Sequence, residues 1–445
     1  MHLERLKLQN FRCYDNLDID FDPRLTVIVG ENGKGKTAIF DALAIAFAPF
    51  MEAFGKQGRK IQRKDVRRVP VYKEDGMHIA KMETRYPLVI TLEGTGLKNG
   101  SKVSCTRKLT EESGWEENEE NLFAYGTALR KDAEEHKNVV LPCLAYYGTS
   151  RIWVDSKLLE HYDRSLEDRA VGYEECLEPS SSYNTFGRWF EHITKCAQQD
   201  LQNGISDSRN VMIKKAIQQA IDVCLGSTGF NDLYFNYELN AFVISHPDLG
   251  EMIVDDLSDG FRSIISMVAD LAYRMVRLNP FLGEQAVVDT PGMVLIDEID
   301  MHLHPLWQQV VLLDLGKAFP KLQFIVTTHS PQVLSSVPAE GIRVLNWGKK
   351  GFEGVSHVEF SLGAASTQLL QDIQHVNPRS RALPIVKDLE RYLELVSEDK
   401  WDSEEALTLR KRLDEWSRGR EPALLRADMD IRMRQFRRKR HEARV

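Results

Sequence analysis

GENGKGKT, residues Gly30 to Thr37, decides the fold of this chain because it matches G-x-x-x-x-G-K-[ST] at every fixed position. The residues before it, LTVIVG from Leu25 to Gly30, form a short apolar, β-branched run that predicts a buried parallel strand. The residues after it, AIFDALAIAFAPF, have apolar side chains at helical spacing, and Pro49 is expected to end that helix. Strand, glycine loop and helix follow one another in the order that a phosphate-binding loop requires.

The glycines of this loop allow the backbone to curl until its N–H groups point at phosphate oxygens, and the following helix adds its positive end. Lys36 is expected to reach the β- and γ-phosphates of ATP, and the Thr37 hydroxyl is expected to hold Mg²⁺. A glycine-rich turn that matches by chance is the alternative, and the two correct flanks argue against it. The predicted nucleotide-binding residues of the loop are Gly30, Asn32, Gly33, Gly35, Lys36, Thr37 and Ala38.

The composition is that of a globular protein, with 445 residues of which 42% are apolar and 28% charged. This length suits two or three domains, or one large domain with insertions. No run approaches the roughly 18 to 20 apolar residues of a membrane span, and the N-terminus lacks the apolar core of a signal peptide. The six cysteines are scattered without a C-x-x-C pair. They indicate free thiols in a reducing compartment, so a cytoplasmic protein is expected.

The charge is unevenly distributed around a net value of −8. Lys56 to Arg68 holds seven basic residues and one acid, and Ile431 to Val445 holds seven basic residues against Glu442. Glu111 to Glu120 holds six acids and is expected to lie in a surface insertion. Nucleic acid would therefore be bound only locally, through the basic segments. Docking of the basic tail on an acidic partner or on the acidic insertion is the alternative.

A second decisive stretch is MVLIDEID, from Met293 to Asp300. Four apolar residues followed by two acids predict that Asp297 and Glu298 lie at the carboxyl end of a buried strand, where ligands bind in α/β sheets. Asp297 is then expected to bind Mg²⁺ directly or to contact one of the ion's ligands, since this ion prefers oxygen ligands. Glu298 is the expected base that orients or deprotonates the attacking water. A solvated strand end is the alternative.

A third stretch, VTTHSP from Val326 to Pro331, is another apolar strand that leads to His329. A histidine at the same edge could hydrogen-bond the γ-phosphate and report whether it is present. A structural histidine with satisfied hydrogen bonds is the alternative.

A fourth stretch, LSDGFRS from Leu257 to Ser263, opens an amphipathic helix that is predicted to begin near Phe261. Ser258 and the backbone around Gly260 then form a second anion-binding helix N-terminus. One nucleotide does not need two such sites in one chain. Two chains docked head to tail could use Ser258 and Gly260 of one chain to cap the γ-phosphate held by the other, which makes a nucleotide-dependent dimer. An ordinary helix N-cap is the alternative.

The expected fold is an α/β P-loop NTPase with an N-terminal antiparallel β subdomain, helical insertions and a helical C-terminal extension. YPLVITLEG and SKVSCTRKLT predict a hairpin, YFNYELNAFVIS a strand pair, and PLWQQVVLLDLGKAF a helix between two core strands. The expected domains are residues 1–154 (first half of the ATPase domain, with the β subdomain), 155–250 (helical insertion), 251–365 (second half of the ATPase domain) and 366–445 (helical extension with the basic tail).

These elements, in this order, resemble the ABC-type ATPase heads of the SMC and RecF group. GENGKGKT resembles Walker A, LSDGFRS the signature motif, VLIDEID Walker B, DMHLHP from Asp300 the D-loop, and TTHSP the switch histidine. Phe11-Arg12 in QNFRCY resembles the N-terminal motif of the group, which implies that Arg12 approaches the nucleotide. The resemblance covers residues 1 to about 345, and it implies ATP and Mg²⁺ as cofactors and an ATP-dependent head-to-tail dimer.

Within this group, LAYYGTSR, EPSSSYNTFGRWF, LSDGFRS and DEIDMHLHPLWQ are most similar to bacterial "virulence-associated" ATP-binding proteins. That set includes ATPase subunits of Septu-type and retron-linked anti-phage systems. The resemblance implies a partner effector nuclease, of HNH type, with a retron reverse transcriptase and its DNA product as additional partners. A RecF-like DNA-repair clamp that binds DNA ends or gaps is the rival hypothesis, and a housekeeping regulator without a nucleic-acid role is a second.

Three features depart from the wider group. No glutamine follows the strand Leu141 to Tyr147, so Thr149, Ser150 or Gln62 remain alternatives for the Q-loop residue. The 220 residues between Thr37 and Leu257 (257 − 37) are too few for a long coiled-coil arm. The letters Asp428-Met-Asp430 occur in a helical pattern, so nuclease activity of a TOPRIM kind is not expected in this chain. His302 and His304 alone are too few ligands for zinc.

Overall fold

The computed structural model describes residues 1–72, 79–97, 100–111, 114–118, 120–135, 138–149, 168–179, 184–349 and 351–442. The chain divides into two compact units, Met1–Leu369 and Leu370–Val445. Ser150, residues 180–183 of the serine-rich stretch, part of the acidic insertion and Arg444 lie outside the described residues.

The strands of the first unit alternate with helices along much of the chain. They are β1 (His2–Phe11), β2 (Tyr14–Asp20), β3 (Leu25–Val29), β4 (Arg68–Tyr72), β5 (Ile79–Thr84), β6 (Leu88–Thr95), β7 (Lys102–Thr110), β8 (Gly114–Asn118), β9 (Cys143–Tyr147), β10 (Asn231–Asn236), β11 (Ala241–His246), β12 (Gly250–Ile253), β13 (Gly292–Ile296), β14 (Leu322–Thr328), β15 (Ile342–Gly348) and β16 (Gly351–Ser356).

The helices of the first unit vary from four to 20 residues. They are α1 (Lys36–Ala46), α2 (Ala48–Ala53), α3 (Glu120–Glu135), α4 (Asn184–Gln202), α5 (Arg209–Leu225), α6 (Asp259–Leu278), α7 (Ala286–Asp289), α8 (Pro305–Gln308), α9 (Val311–Ala318) and α10 (Pro331–Leu334). Helix α11 (Ser366–Asp372) spans the boundary between the units, and the second unit contains α12 (Pro384–Ser397), α13 (Glu404–Ser417) and α14 (Pro422–Glu442).

A six-stranded sheet in the order β16-β15-β3-β14-β13-β9 forms the centre of the first unit. Its strands are parallel except for β16, which pairs antiparallel at one edge. Every residue of β9, β13 and β14 is buried, as expected for a parallel sheet that is covered on both faces. The segments that follow β3, β13 and β14 therefore emerge side by side at one edge. The predicted α/β P-loop fold is confirmed.

A second sheet, β2-β1-β6-β7-β8, is antiparallel throughout and forms the predicted N-terminal β subdomain. In β6, buried residues alternate strictly with partly buried ones, which is the period-two pattern of a strand with one face on a core. Leu6 pairs with Leu92 and Leu8 with Ile90, so apolar side chains of β1 and β6 face the same core.

The structure departs from the sequence-based expectations at three places. Pro49 does not end the phosphate-loop helix: that helix ends at Ala46, and Pro49 lies in the first turn of α2, where a missing N–H costs nothing. The helix expected over 305–319 is broken into α8 and α9. The strand pair expected within residues 155–250 forms as β10 and β11, but a third antiparallel strand, β12, extends this sheet to residue 253.

Helix α6 is fixed to the central sheet by a buried polar network. The Tyr147 hydroxyl donates to Asp270 Oδ2 at 2.8 Å, and Arg274 Nε donates to the same oxygen at 2.8 Å. Arg274 also donates to the backbone oxygens of Gly172 and Glu174. Although burial alone would lower the pKa of Arg274, Asp270 outweighs this effect and raises it. The network links α6 to β9, the strand that neighbours β13.

The second unit is a small helical assembly with its own apolar core, which includes Leu389, Tyr392, Leu413 and Leu424. Arg410 donates to both carboxylate oxygens of Asp428, and this pairing lowers the pKa of Asp428.

Among the described residues, no helix has the length and apolar character needed to cross a bilayer.

Tyr146 and Tyr147 provide a matched pair for testing the α6 network. Both side chains are buried, but the Tyr146 hydroxyl has no hydrogen-bond partner, whereas that of Tyr147 binds Asp270. We expect Tyr147→Phe to lower the free energy of unfolding by about 1–3 kcal/mol, since it leaves a buried carboxylate short of a donor. Tyr146→Phe is expected to be neutral or stabilising. Urea unfolding of both variants measures this difference, and equal losses of stability would contradict the role of the network.

Candidate nucleotide-binding site

The phosphate loop depends on glycine at two positions with left-handed backbone. Gly33 has φ 73° and Gly35, the residue before α1, has φ 87°. A Cβ at Gly35 would lie 2.5 Å from Cys13 Sγ and 2.6 Å from Tyr14 Oη. The turn between β1 and β2 therefore packs directly against the loop, and any side chain at residue 35 would displace one of them.

Lys36 lies inside the loop that precedes it. Its Nζ donates to the backbone oxygens of Gly30 at 2.8 Å and Glu31 at 3.0 Å. Burial lowers the pKa of the Lys36 ammonium, and the carboxylates of Asp297, Glu298 and Asp300 act in the opposite direction. A fixed positive charge thus faces the acids that follow β13, as required of a cation that reaches phosphate.

Asp297 joins the phosphate-loop helix to the strands beside it. Its Oδ2 accepts from Thr37 Oγ1 at 2.6 Å, and its Oδ1 accepts from Thr327 Oγ1 at 2.6 Å. The carboxylate is 2% exposed. Thr327 Oγ1 in turn accepts from the backbone N–H of Glu298 at 2.8 Å, so the same threonine also orients the second acid. Thr327 is a contact that the sequence analysis missed.

Glu298 and His329 occupy the same edge of the sheet. Glu298 follows β13 by two residues and has φ 50°. This left-handed backbone conformation is uncommon for residues other than glycine or asparagine. Burial and the nearby Lys36 lower the pKa of His329, so its imidazole is neutral at pH 7. The structure therefore brings Lys36, Thr37, Asp297, Glu298 and His329 together, although the roles predicted for them remain predictions.

Arg12 lies beside the phosphate-loop helix in a fixed orientation. It donates to Asp65 Oδ1 through Nε at 2.9 Å and through Nη2 at 2.8 Å, and its Nη1 donates to Asp41 Oδ2 at 2.5 Å. Asp41 lies one turn after Thr37 on α1 and also binds Arg59. Burial alone would lower the pKa of Arg12, but Asp41 and Asp65 outweigh it and raise the pKa. The sequence carries no signal that identifies Asp41 and Asp65 as these partners.

Ser258 and Gly260 are placed at the N-terminus of α6, which begins at Asp259 and not at Phe261 as expected. The Ser258 side chain is exposed and makes no capping hydrogen bond. Within the described part of the chain, no hydrogen bond joins either residue to the phosphate loop. The start of this 20-residue helix therefore has donors available for an external group.

The Q-loop question stays open among the alternatives that the structure describes. Thr149 is exposed and lies two residues after the end of β9. The last residue of β9, Tyr147, lies beside Asp297, because its backbone oxygen accepts a hydrogen bond from the Asp297 N–H. Gln62 is exposed at the start of a turn in which its N–H binds Asp65, the partner of Arg12. Ser150 lies outside the described residues.

The donor set around Asp297 fits a hard divalent cation that also binds a nucleotide. Among the described residues there is no group of three or more histidine, cysteine, aspartate or glutamate side chains that could hold a metal alone. The Thr37 hydroxyl and the Asp297 carboxylate provide two adjacent oxygens. Mg²⁺ commonly takes one or two protein ligands and completes its shell with phosphates and water. These residues therefore fit Mg²⁺ bound together with a nucleotide.

Comparison with known proteins supports this interpretation of the site. Residues 5–221 match an AAA domain family, and residues 149–335 match an AAA domain described as a putative AbiEii toxin of a Type IV toxin–antitoxin system. The chain is 25% identical to "Retron Ec83 probable ATPase" of Escherichia coli, over 91% of this chain and 82% of that protein. It is 26% identical to "Septu protein PtuA" of Bacillus mycoides (strain KBAB4), over 77% of this chain and 40% of that protein.

Two further similarities are more limited. The DNA replication and repair protein RecF of Halalkalibacterium halodurans is 54% identical over 43 residues, which are 10% of this chain and 12% of that protein. The SMC head domain from Thermotoga maritima superimposes with a TM-score of 0.44 and 16% identity, over 81% of this chain and all of that structure. The chain is thus similar to a retron probable ATPase and to a Septu protein over most of its length, and to RecF over a short stretch, which confirms the resemblance predicted from its motifs.

Lys36→Ala tests the phosphate-binding role of the loop, with Lys34→Ala as its matched control. Lys34 belongs to the same loop, but its ammonium lies 5.2 Å from the centre of the Trp347 ring. Because hydrogen bonds to charged groups contribute about 1.5–3 kcal/mol, we expect Lys36→Ala to weaken ATP binding by at least about tenfold and to abolish hydrolysis. Lys34→Ala should bind within about threefold of wild type. Fluorescent-nucleotide titration checks both, and equal affinities would contradict the assignment.

Proposed function

We propose that this chain is a Mg²⁺-dependent ATPase whose ATP-bound, head-to-tail dimer controls a partner nuclease in bacterial anti-phage defence. The observation that carries the proposal is the hydrogen bond between the Thr37 hydroxyl and the Asp297 carboxylate, with Lys36 held beside them. The proposal is supported because an ammonium, a hydroxyl and a carboxylate are the groups that bind a nucleoside triphosphate and its metal. ATPase names among relatives that cover most of the chain support it.

Each residue of the site has a role that its geometry permits. Lys36 would exchange its two carbonyl partners for β- and γ-phosphate oxygens. Thr37 and Asp297 would hold Mg²⁺, which would neutralise phosphate charge. Glu298, fixed by its backbone bond to Thr327, orients the attacking water and accepts its proton. The neutral His329 donates a hydrogen bond to the γ-phosphate and thereby distinguishes ATP from ADP.

The proposed dimer uses the N-terminus of α6. Ser258 is exposed and α6 leaves its first N–H groups without an intrahelical partner. In a head-to-tail pair these groups of one copy cap the γ-phosphate bound to the other, as helix N-termini do for anions. Because the γ-phosphate then lies in the interface, ATP favours the dimer and hydrolysis favours its release.

The partner is proposed from the names of the relatives. Proteins named as a retron ATPase and as a Septu protein are similar to this chain over most of its length. We propose an HNH-type nuclease as the controlled effector, with a reverse transcriptase and its DNA product as additional partners. A neighbouring gene for either protein would support this assignment, whereas a neighbourhood of DNA-repair genes would favour the rival clamp.

Glu298→Gln tests the switch. The amide cannot accept a proton from water, so ATP should bind with little change while hydrolysis falls by about two orders of magnitude or more. We expect the ATP-bound dimer to accumulate, as measured by light scattering coupled to size-exclusion chromatography with ATP and Mg²⁺. Glu340→Gln is the control, because Glu340 is exposed at the opposite, amino end of β15. A Glu298→Gln chain that stays monomeric with ATP would overturn the nucleotide-gated dimer.

A second candidate function, a DNA clamp similar to RecF, is favoured by one observation. In the basic segment, Arg59 is bound to Asp41 and Arg67 to Asp15, whereas the remaining basic side chains reach solvent. These available residues include Lys60, Arg63, Lys64 and Arg68. They could contact DNA phosphates, although part of the segment serves the fold.

Charge reversal separates this candidate from the first. Each phosphate neutralised adds about 0.9 to the slope of log K against log salt on duplex DNA. If the segment binds DNA, Arg63→Glu with Lys64→Glu should lower that slope by about two and weaken binding. The control, Lys321→Glu with Arg420→Glu, makes the same charge change at two exposed residues elsewhere. Equal DNA affinity of the two double variants would remove the segment from the clamp hypothesis.

A further inference from the structure

The D-loop, residues 300–305, and the residues that follow β14 are connected by the side chain of Gln308. Its Nε2 donates to the backbone oxygens of Leu303 at 2.9 Å and Asp300 at 3.3 Å. Its Oε1 accepts from Ser330 Oγ at 2.7 Å. Both ends of one amide are therefore used to join the D-loop to the residue that follows His329.

A second connection runs parallel to the first. Asp300 Oδ1 accepts from Thr328 Oγ1 at 2.6 Å and from the backbone N–H of His329 at 3.3 Å. The residues on both sides of His329 are thus bonded to the D-loop. If the segment around His329 moves, the hydrogen bonds of Asp300 and Gln308 are stretched together. We therefore expect this segment and the D-loop to move together.

The D-loop and α8 also contact the start of α6. Gly260 approaches the His302 backbone so closely that a Cβ there would lie 2.2 Å from the carbonyl oxygen. The ring of Phe261 meets the ring of Trp307 edge to face. Trp307 and Gln308 are neighbours in α8, which has only four residues. One short helix thus contacts the signature motif with one side chain and the His329 segment with the next.

We propose that Gln308 and Trp307 are positioning residues. They hold two parts of one chain in a fixed relation: the signature motif, which the chain presents to a partner copy, and His329, which belongs to its own site. This inference rests on the proposed head-to-tail dimer. In that dimer, His329 contacts the nucleotide of its own chain, whereas Ser258 and Gly260 of that chain contact the nucleotide of the other. The two ATP sites are then coupled through α8 of each chain.

A complementation assay first establishes the composite site. A Ser258→Arg chain retains its P-loop but has no functional signature, because the long side chain obstructs the partner's phosphate, while the exposed position of Ser258 avoids a clash within its own chain. A Lys36→Ala chain retains the signature but loses its phosphate-binding lysine. Neither homodimer has a complete site, whereas the mixed dimer has one, so mixing should restore hydrolysis. Failure of mixing to restore any hydrolysis would overturn the proposed dimer itself, and not the role of Gln308.

Gln308→Ala is then added to each chain in turn. In the Lys36→Ala chain it tests the role in trans, because that chain contributes only its signature to the active site. In the Ser258→Arg chain it tests the role beside the reacting nucleotide. We expect kcat of the mixed dimer to fall by about tenfold in either arrangement, since three hydrogen bonds are lost. ATP binding by the Ser258→Arg chain should stay within about twofold, which a merely unfolded variant would not show.

Two controls complete the experiment. Gln309→Ala in either chain should leave kcat unchanged, because Gln309 is the exposed neighbour of Gln308. Trp307→Ala in the Lys36→Ala chain should lower kcat as Gln308→Ala does, and Trp307→Phe should restore most of it through renewed ring contact with Phe261. Full hydrolysis with Gln308→Ala in the Lys36→Ala chain would overturn the coupling, and a loss confined to the Ser258→Arg chain would reduce Gln308 to a local role beside His329.

Discussion

The buried carboxylate of Asp297 is the group on which the rest of the site depends. A buried charge is costly unless it is hydrogen-bonded, and Asp297 meets this condition through two threonine hydroxyls, one from α1 and one from β14. Both bonds form only if β3, β14 and β13 lie side by side in register, as they do. The residues proposed to bind phosphate, metal and water are therefore positioned by the same contacts that hold the strand edge together.

The surroundings of this carboxylate show how the fold uses charge. Lys36 bonds the backbone of its own loop, and Arg12 is held by Asp41 and Asp65. Each cation is thus oriented before any ligand binds, which lowers the entropy lost on binding. The same orientation limits the basic segment as a nucleic-acid surface, because Arg59 and Arg67 already have carboxylate partners. Only the side chains that reach solvent can act in that way.

His329 lies at the carboxyl edge of the central sheet, and the signature motif lies at the start of α6, where Ser258 is exposed and Gly260 is buried against the His302 backbone. Gln308 and Trp307 connect them through an amide and an aromatic ring. Packed interfaces of this kind have few alternative arrangements, so a small shift at one end is carried to the other. This gives a physical basis for the proposal that two sites in a dimer work together.

The sequence by itself determined the P-loop, the two acidic and histidine-bearing strand ends, and the α/β class, because spacing and apolar runs are local properties of the chain. Only the tertiary structure decided that Thr327 shares the Asp297 carboxylate, that Asp41 and Asp65 hold Arg12, and that Gln308 joins two motifs. Each of these contacts pairs residues distant in sequence, or depends on one rotamer, and neither feature leaves a periodic pattern. The break between α8 and α9 was missed for a similar reason: apolar periodicity continues through it, while the bonds of Gln308 that accompany it are tertiary.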